Sequence, residues 1–145
     1  MAVYSNYLFR TQANIALSMD RHGEGILNKE YCFMDVKHNR CAGFKTFSIH
    51  VHHPLLRRVI TLATMECENE TTDTLTQFWM LFNEVLQKVS GDGSKRFSPF
   101  GWMADEVGAN WAALANVFGA DVLSHTILLD VNSISKKVST GMQTN

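Results

Sequence analysis

Two acids fall where a carboxylate needs a partner. Asp35 interrupts the apolar run Tyr31-Cys32-Phe33-Met34-Asp35-Val36, and Asp105 follows the extended segment Phe97 to Ala104, just before a helical pattern begins. An ionised carboxylate inside a buried strand is costly unless it is paired or binds a metal. Carboxylate oxygens suit a hard divalent cation such as magnesium. Two such ions, about 4 Å apart, can activate a nucleophile and stabilise the leaving oxygen in phosphodiester chemistry. If the strand ending at Asp105 lies beside the strand carrying Asp35, both acids reach one point at the sheet's end. The plainer alternative is that Asp35 bonds the turn from Lys37 to Arg40 and Asp105 caps the helix that follows.

Other reactive residue types carry weaker patterns. Cys32, His38 and Cys41, with His50, His52 and His53 nearby, lack the paired-ligand spacing of zinc knuckles. Strand alternation turns Cys32 the same way as Met34, as expected of a buried thiol. His52-His53-Pro54 reads as a strand end. No strand-to-helix serine elbow and no glycine-rich phosphate loop is present. Lys37, Arg40, Lys45, Arg57 and Arg58 form one local basic group, suited either to phosphate contacts or to a solvated sheet edge.

The elements that must position these residues follow from periodicity. Thr11 to Met19 reads as a short lead-in helix ending near Gly23 and Gly25. Tyr31 to Val36 is a largely buried strand. Phe44 to His52 alternates, with Phe47, Ile49 and Val51 on the buried face, and Arg57 to Glu66 resumes extended after Pro54. Short connections make these three an antiparallel meander. Glu70-Thr71-Thr72-Asp73 then supplies capping residues before Leu75, Phe78, Trp79, Phe82, Val85, Leu86 and Val89, the apolar stripe of a helix of about four turns. The aromatic set Phe78, Trp79 and Phe82 on that stripe belongs to the core. Phe97 to Ala104 is a fourth strand. A second such helix opens at Gly108-Ala109-Asn110 and ends at Gly119, and Val122 to Val131 is a fifth strand. The string predicts an α/β fold, a mixed sheet with helices packed on it.

The 145 residues make one domain's worth of chain, expected to bury roughly two thirds of its unfolded surface. Thirteen Lys plus Arg against fourteen Asp plus Glu leave a net charge of −1, which excludes an overall basic field for nucleic acid. At 46% apolar and 19% charged residues, the composition is that of an ordered globular chain. Three cysteines, an odd count, and no apolar run of signal-peptide or membrane-span length favour a reducing compartment, cytoplasmic or nuclear, and exclude secretion and a membrane partner.

Several blocks in fixed order carry a family resemblance. The segment Tyr31-Cys32-Phe33-Met34-Asp35-Val36-Lys37-His38-Asn39-Arg40-Cys41, followed by His53-Pro54-Leu55-Leu56-Arg57-Arg58, resembles the catalytic core of Mutator-like element (MULE) transposases, above all the animal sequences derived from them. Phe78-Trp79-Met80-Leu81-Phe82-Asn83-Glu84-Val85-Leu86, Gly101-Trp102-Met103-Ala104-Asp105-Glu106-Val107-Gly108-Ala109-Asn110 and Val117-Phe118-Gly119 continue it, over about Tyr31 to Thr126. The resemblance implies a ribonuclease-H-like fold, nuclear residence, DNA as the ancestral partner, and three acids binding two Mg2+ or Mn2+ ions for strand cleavage and transfer. Asp35 matches the first acid and Asp105 the second, as catalytic and metal-binding residues.

The chain departs from that family at both ends. Residues 1–30 form only a lead-in where the family carries DNA-binding segments, 31–126 match part of the core, and 127–145 diverge. The family's Cys-x-x-His segment, helical insertion and third acid are not visible after Thr126, and Asp130 stands in the wrong relation to the second acid to replace the last of these. Codons exist for which the tail, in a shifted frame, spells Cys-Gln-Phe-His, so a frame change near Ile127 or Leu128 would account for it. The expectation is a remnant of a transposase core, incomplete at its C-terminal end and inactive, with metal binding weak or absent. The alternative is a domesticated, non-enzymatic module that binds protein or nucleic acid through the meander's outer face.

Overall fold

A computed structural model describes residues 3–7, 10–38, 43–69, 71–104 and 108–128. The strands are β1 (Val3–Tyr7), β2 (Tyr31–His38), β3 (Lys45–His53), β4 (Arg58–Cys67), β5 (Gly101–Ala104) and β6 (Thr126–Leu128). Between them lie the helices α1 (Arg10–Ser18), α2 (Thr72–Ser90) and α3 (Gly108–Phe118), with a 3-10 turn over Ala120–His125. The strands form a single sheet in the order β1-β4-β3-β2-β5-β6. β2, β3 and β4 are the antiparallel meander, β1 adds an antiparallel edge to β4, and β5 and β6 run parallel to β2 and β5 respectively. The α/β class, the meander and the parallel strands are thus as the sequence predicts.

Local chemistry explains α2 best. Thr71 is its N-cap in extended conformation, and its Oγ1 accepts a hydrogen bond from the Thr74 backbone N–H at 3.2 Å. Asp73 in the first turn and Lys88 in the last both suit the helix dipole. Gly91 ends the helix at φ 72°, a left-handed conformation in which any Cβ is strained, and its N–H donates to the Gln87 carbonyl at 2.9 Å. Leu75, Phe78, Trp79, Phe82 and Leu86, spaced by three and four, all face the sheet and are buried.

Trp79 is the hub of that interface. Its ring centroid lies 5.1 Å from Phe78, 5.2 Å from Trp102 on β5, 5.6 Å from Phe118 at the end of α3, and 6.4 Å from Phe47 on β3. All four pairs are edge-to-face, an arrangement favoured by ring quadrupoles. One residue therefore joins the two crossover helices to the antiparallel and parallel halves of the sheet. The small side chains Ala13 and Ala16 let α1 settle against α2 and β4 in the same core.

Three differences from the sequence expectations have physical causes. The fourth strand is only Gly101–Ala104, because the Phe97 N–H is taken by Asn83 Oδ1 at 2.8 Å and Pro99 has no N–H for a ladder. The last strand begins only at Thr126, after the 3-10 turn, and its expected end at Val131 lies outside the described residues. The lead-in contributes β1, whose sequence Val-Tyr-Ser-Asn-Tyr is too short and too polar to announce an edge strand by periodicity.

Trp79→Ala is expected to destabilise the fold by about 3–5 kcal/mol, which at this chain length lowers Tm by roughly ten degrees or more. Met80→Ala, on the exposed side of the same helix, should stay within about 0.5 kcal/mol. Denaturant and thermal unfolding of the two variants check the pair, and equal effects would remove Trp79 from the centre of the core.

Candidate functional site

Strand parity decides what surrounds Asp35. On β2, Cys32 and Met34 are buried under the helices, whereas Asp35 points to the opposite face and is exposed. This corrects the expectation of a largely buried strand carrying a buried acid. β2 is covered on one side only, and Asp35 bears no burial penalty. It makes no hydrogen bond or ion pair with Lys37 or with any other residue whose side chain is described, and the rest of the turn-bond alternative, at residues 38–40, lies outside the described side chains. Asp105 lies outside the described residues, as do Arg40, Cys41 and Asp130.

The adjacency on which the two-acid geometry depends is present. β5 lies directly beside β2 and parallel to it, pairing Tyr31 with Gly101, Cys32 with Trp102 and Phe33 with Met103. The strand that ends at Ala104 therefore runs in the same direction as the strand that carries Asp35.

On its other side β2 pairs with β3, setting Asp35 opposite Ser48 and Phe33 opposite His50. Ser48 and His50, two residues apart on one strand, share the face of Asp35. Ser48 Oγ and His50 Nε2 are 2.8 Å apart, and His50 Nδ1 lies 3.1 Å from Thr61 Oγ1 on β4. Both ring nitrogens are thus engaged by hydroxyls. Burial holds the His50 imidazole below its ordinary pKa of 6.5; the Asp35 charge partly opposes this, and the Lys37 charge adds to it. Asp35 acts on His50 through space, without a hydrogen bond between them. Ser48 is only 6% exposed, so the trio is a polar clamp across three strands and does not present an accessible nucleophile.

A hard divalent ion takes about six oxygen ligands, and Asp35 is a carboxylate on this face for which no hydrogen bond or ion pair is found among the described residues. No group of three His, Cys, Asp or Glu converges among them. Asp35 fits as a single ligand at an open position, and His50 is already committed to its hydroxyl partners. The zinc alternative is not assembled among the described residues either. Cys32 is fully buried, which pushes its thiol pKa well up, and His53 Nδ1 accepts the Leu56 N–H at 3.2 Å to close the hairpin turn. The basic group expected from sequence is split. Lys37 and Lys45 lie at one end of the nine-residue β3 and Arg57 and Arg58 at the other, roughly 25 Å apart at the rise of an extended strand. What sequence reasoning missed is the link between Asp35 and the Ser48-His50 pair. Alternation alone puts Ser48 and His50 on one face, but only the register places them against Asp35.

The His50 environment fixes a sign. Its folded pKa is lowered, so the unfolded chain binds the extra proton; the associated stability is fully present above pH 6.5 and is lost as pH falls from there through the folded value. In an NMR titration His50 should titrate below 6.5, lower still in Asp35→Asn, and higher in Lys37→Met than in the unsubstituted chain. An upward move in Asp35→Asn would contradict the through-space coupling. Comparison of the chain with protein-family models, curated proteins and solved structures finds no match.

Proposed function

We propose that the open face of β2 is the ion-binding face of a transposase-derived, ribonuclease-H-like core, and that these 145 residues do not cleave DNA by themselves. The observation that carries this is the parallel placement of β5 beside β2, with Asp35 exposed and without a partner among the described residues, on the face the described helices leave uncovered. A three-stranded antiparallel meander followed by strands parallel to its first member is also the order that the family resemblance implies. Mg2+ or Mn2+ would be held by Asp35 together with Asp105, and would supply charge neutralisation at a phosphodiester. The chain's own contribution is to hold the Asp35 carboxyl group at a rigid sheet position and to lower the pKa of His50 beside it. With two of three acids, the spacing and charge balance of a two-ion site are incomplete, and binding is expected to be weak.

Mn2+ titration should broaden the amide resonances next to Asp35, those of Ser48 and His50 included, and Asp35→Asn should abolish the broadening. Plasmid incubated with the chain and either ion should remain uncut. Broadening that persists in Asp35→Asn would refute the ion site, and efficient cleavage that Asp35→Asn eliminates would refute the inactivity.

A non-enzymatic binding module is the second reading, favoured by the β3–β4 hairpin. Leu55 is 72% exposed, Leu56 55% and Val59 60%, while Arg57 sits at φ 53°, a left-handed conformation uncommon for a side-chain-bearing residue. A partner taking this tip should bind equally to the unsubstituted chain and to Asp35→Asn, and lose at least tenfold in affinity to a Leu55→Ser, Leu56→Ser double variant. Loss with Asp35→Asn instead would move the contact to the acid's face.

A further inference from the structure

The helix-covered side of the sheet carries a second candidate site, unconnected with Asp35. A cleft of about 400 Å3 opens where the segment after α1, the α2–β5 connection, the end of α3 and the 3-10 turn meet, within the roughly 300–1,000 Å3 range of small-molecule sites. Arg21, Arg96 and His22 bring positive or potentially positive charge to it, against the single carboxylate of Asp121. Phe118, partly exposed, gives it an aromatic contact, and the buried Trp102 borders it from behind.

The arginines are held in place and left unneutralised. Arg21 Nε donates to the Pro99 carbonyl at 3.1 Å and its backbone N–H to the Ser98 carbonyl at 2.9 Å, which pins the side chain along the cleft rim. The Arg96 guanidinium lies 5.4 Å from the centroid of the Phe118 ring. The neighbouring acid Asp20 is already occupied, by Lys95 Nζ at 3.2 Å and by Ser98 Oγ at 3.0 Å. Among the described residues neither arginine has a carboxylate within ion-pair distance. Trp102, 1% exposed, carries a buried indole N–H with no acceptor among the described residues, a donor of the kind a native structure ordinarily satisfies.

We propose that this cleft binds a small planar aryl phosphate monoester, its ring against the exposed part of Phe118 and its dianion between Arg21 and Arg96. A forked guanidinium matches phosphate oxygens in pairs, and two of them with a nearby histidine favour a dianion over a single carboxylate. The exposed part of the Phe118 ring supplies apolar contact that inorganic phosphate cannot use.

The test is titration with phenyl phosphate, followed through the indole N–H resonances. Trp102 should shift while Trp79, also buried but absent from the cleft lining, should not. Phenyl phosphate should bind at least tenfold more tightly than inorganic phosphate, benzoate or phenol, and Arg21→Met or Arg96→Met should each weaken it at least tenfold. Asp121→Asn removes a repulsive charge from an exposed turn and should tighten binding severalfold, an effect that a folding defect cannot imitate. Asp35→Asn should leave the affinity unchanged, so the outcome is separate from that of the ion site. Inorganic phosphate or benzoate binding as tightly as phenyl phosphate, a silent Trp102 at millimolar ligand, or weaker binding in Asp121→Asn would each overturn the proposal.

Discussion

Everything in this molecule is referred to the packing of Trp79 between β3, β5, α2 and α3. The indole meets Phe47 and Trp102 on the sheet and Phe78, Phe82 and Phe118 on the helices. Because all of these rings lie on one side, the cluster settles which face of each strand is covered. A strand's side chains alternate with a period of two, so once Phe47 and Trp102 are committed inward, Ser48, His50 and Met103 have no choice but the other face. The placement of Asp35 follows from its neighbours, since Cys32 and Met34 are drawn into the core and leave it outside.

That one-sided burial changes what an acid in an apolar run means. A buried carboxylate would need a partner to exist at all, whereas an exposed one on an uncovered face is free to take one. The second condition is the more useful for an ion site, because a ligand already bonded to protein must be released before it can coordinate. Ser48 and His50 show the contrast. Their polar atoms satisfy each other and Thr61 across three strands, which secures the sheet beneath the acid and takes them out of contention as ligands or nucleophiles.

What could be read in the sequence was what depends on near neighbours. The caps and apolar spacing of α2 are contained in the single stretch from Thr71 to Gly91. The Phe47, Ile49, Val51 face was equally legible, as was the core role of Phe78, Trp79 and Phe82. Long-range pairing was not legible. The polar Ser5 and Asn6 of β1 gain strand conformation only from β4, and the basic residues looked like one group because their positions at opposite ends of β3 depend on hairpin register. The cleft was hidden for the same reason, since Arg21 and Arg96 are 75 positions apart in the chain (96 minus 21) and meet only through the Asp20–Lys95 latch and the Ser98–Pro99 backbone.

The two candidate sites are nonetheless linked through a single register. β2 and β5 pair Cys32 with Trp102 and Phe33 with Met103. The first pair faces the helices, where the buried Trp102 borders the cleft; the second faces outward, toward the side that carries Asp35. A slip of one residue on β5 would exchange those faces, turning the indole out to solvent and burying Met103 in its place. Such a slip would lose the Trp79, Phe97 and Phe118 contacts of Trp102 together. The aromatic cluster therefore guards both surfaces: the packing that backs the cleft also keeps the outward side chains of β2 and β5 outward, and with them the acid on which the proposed ion site depends.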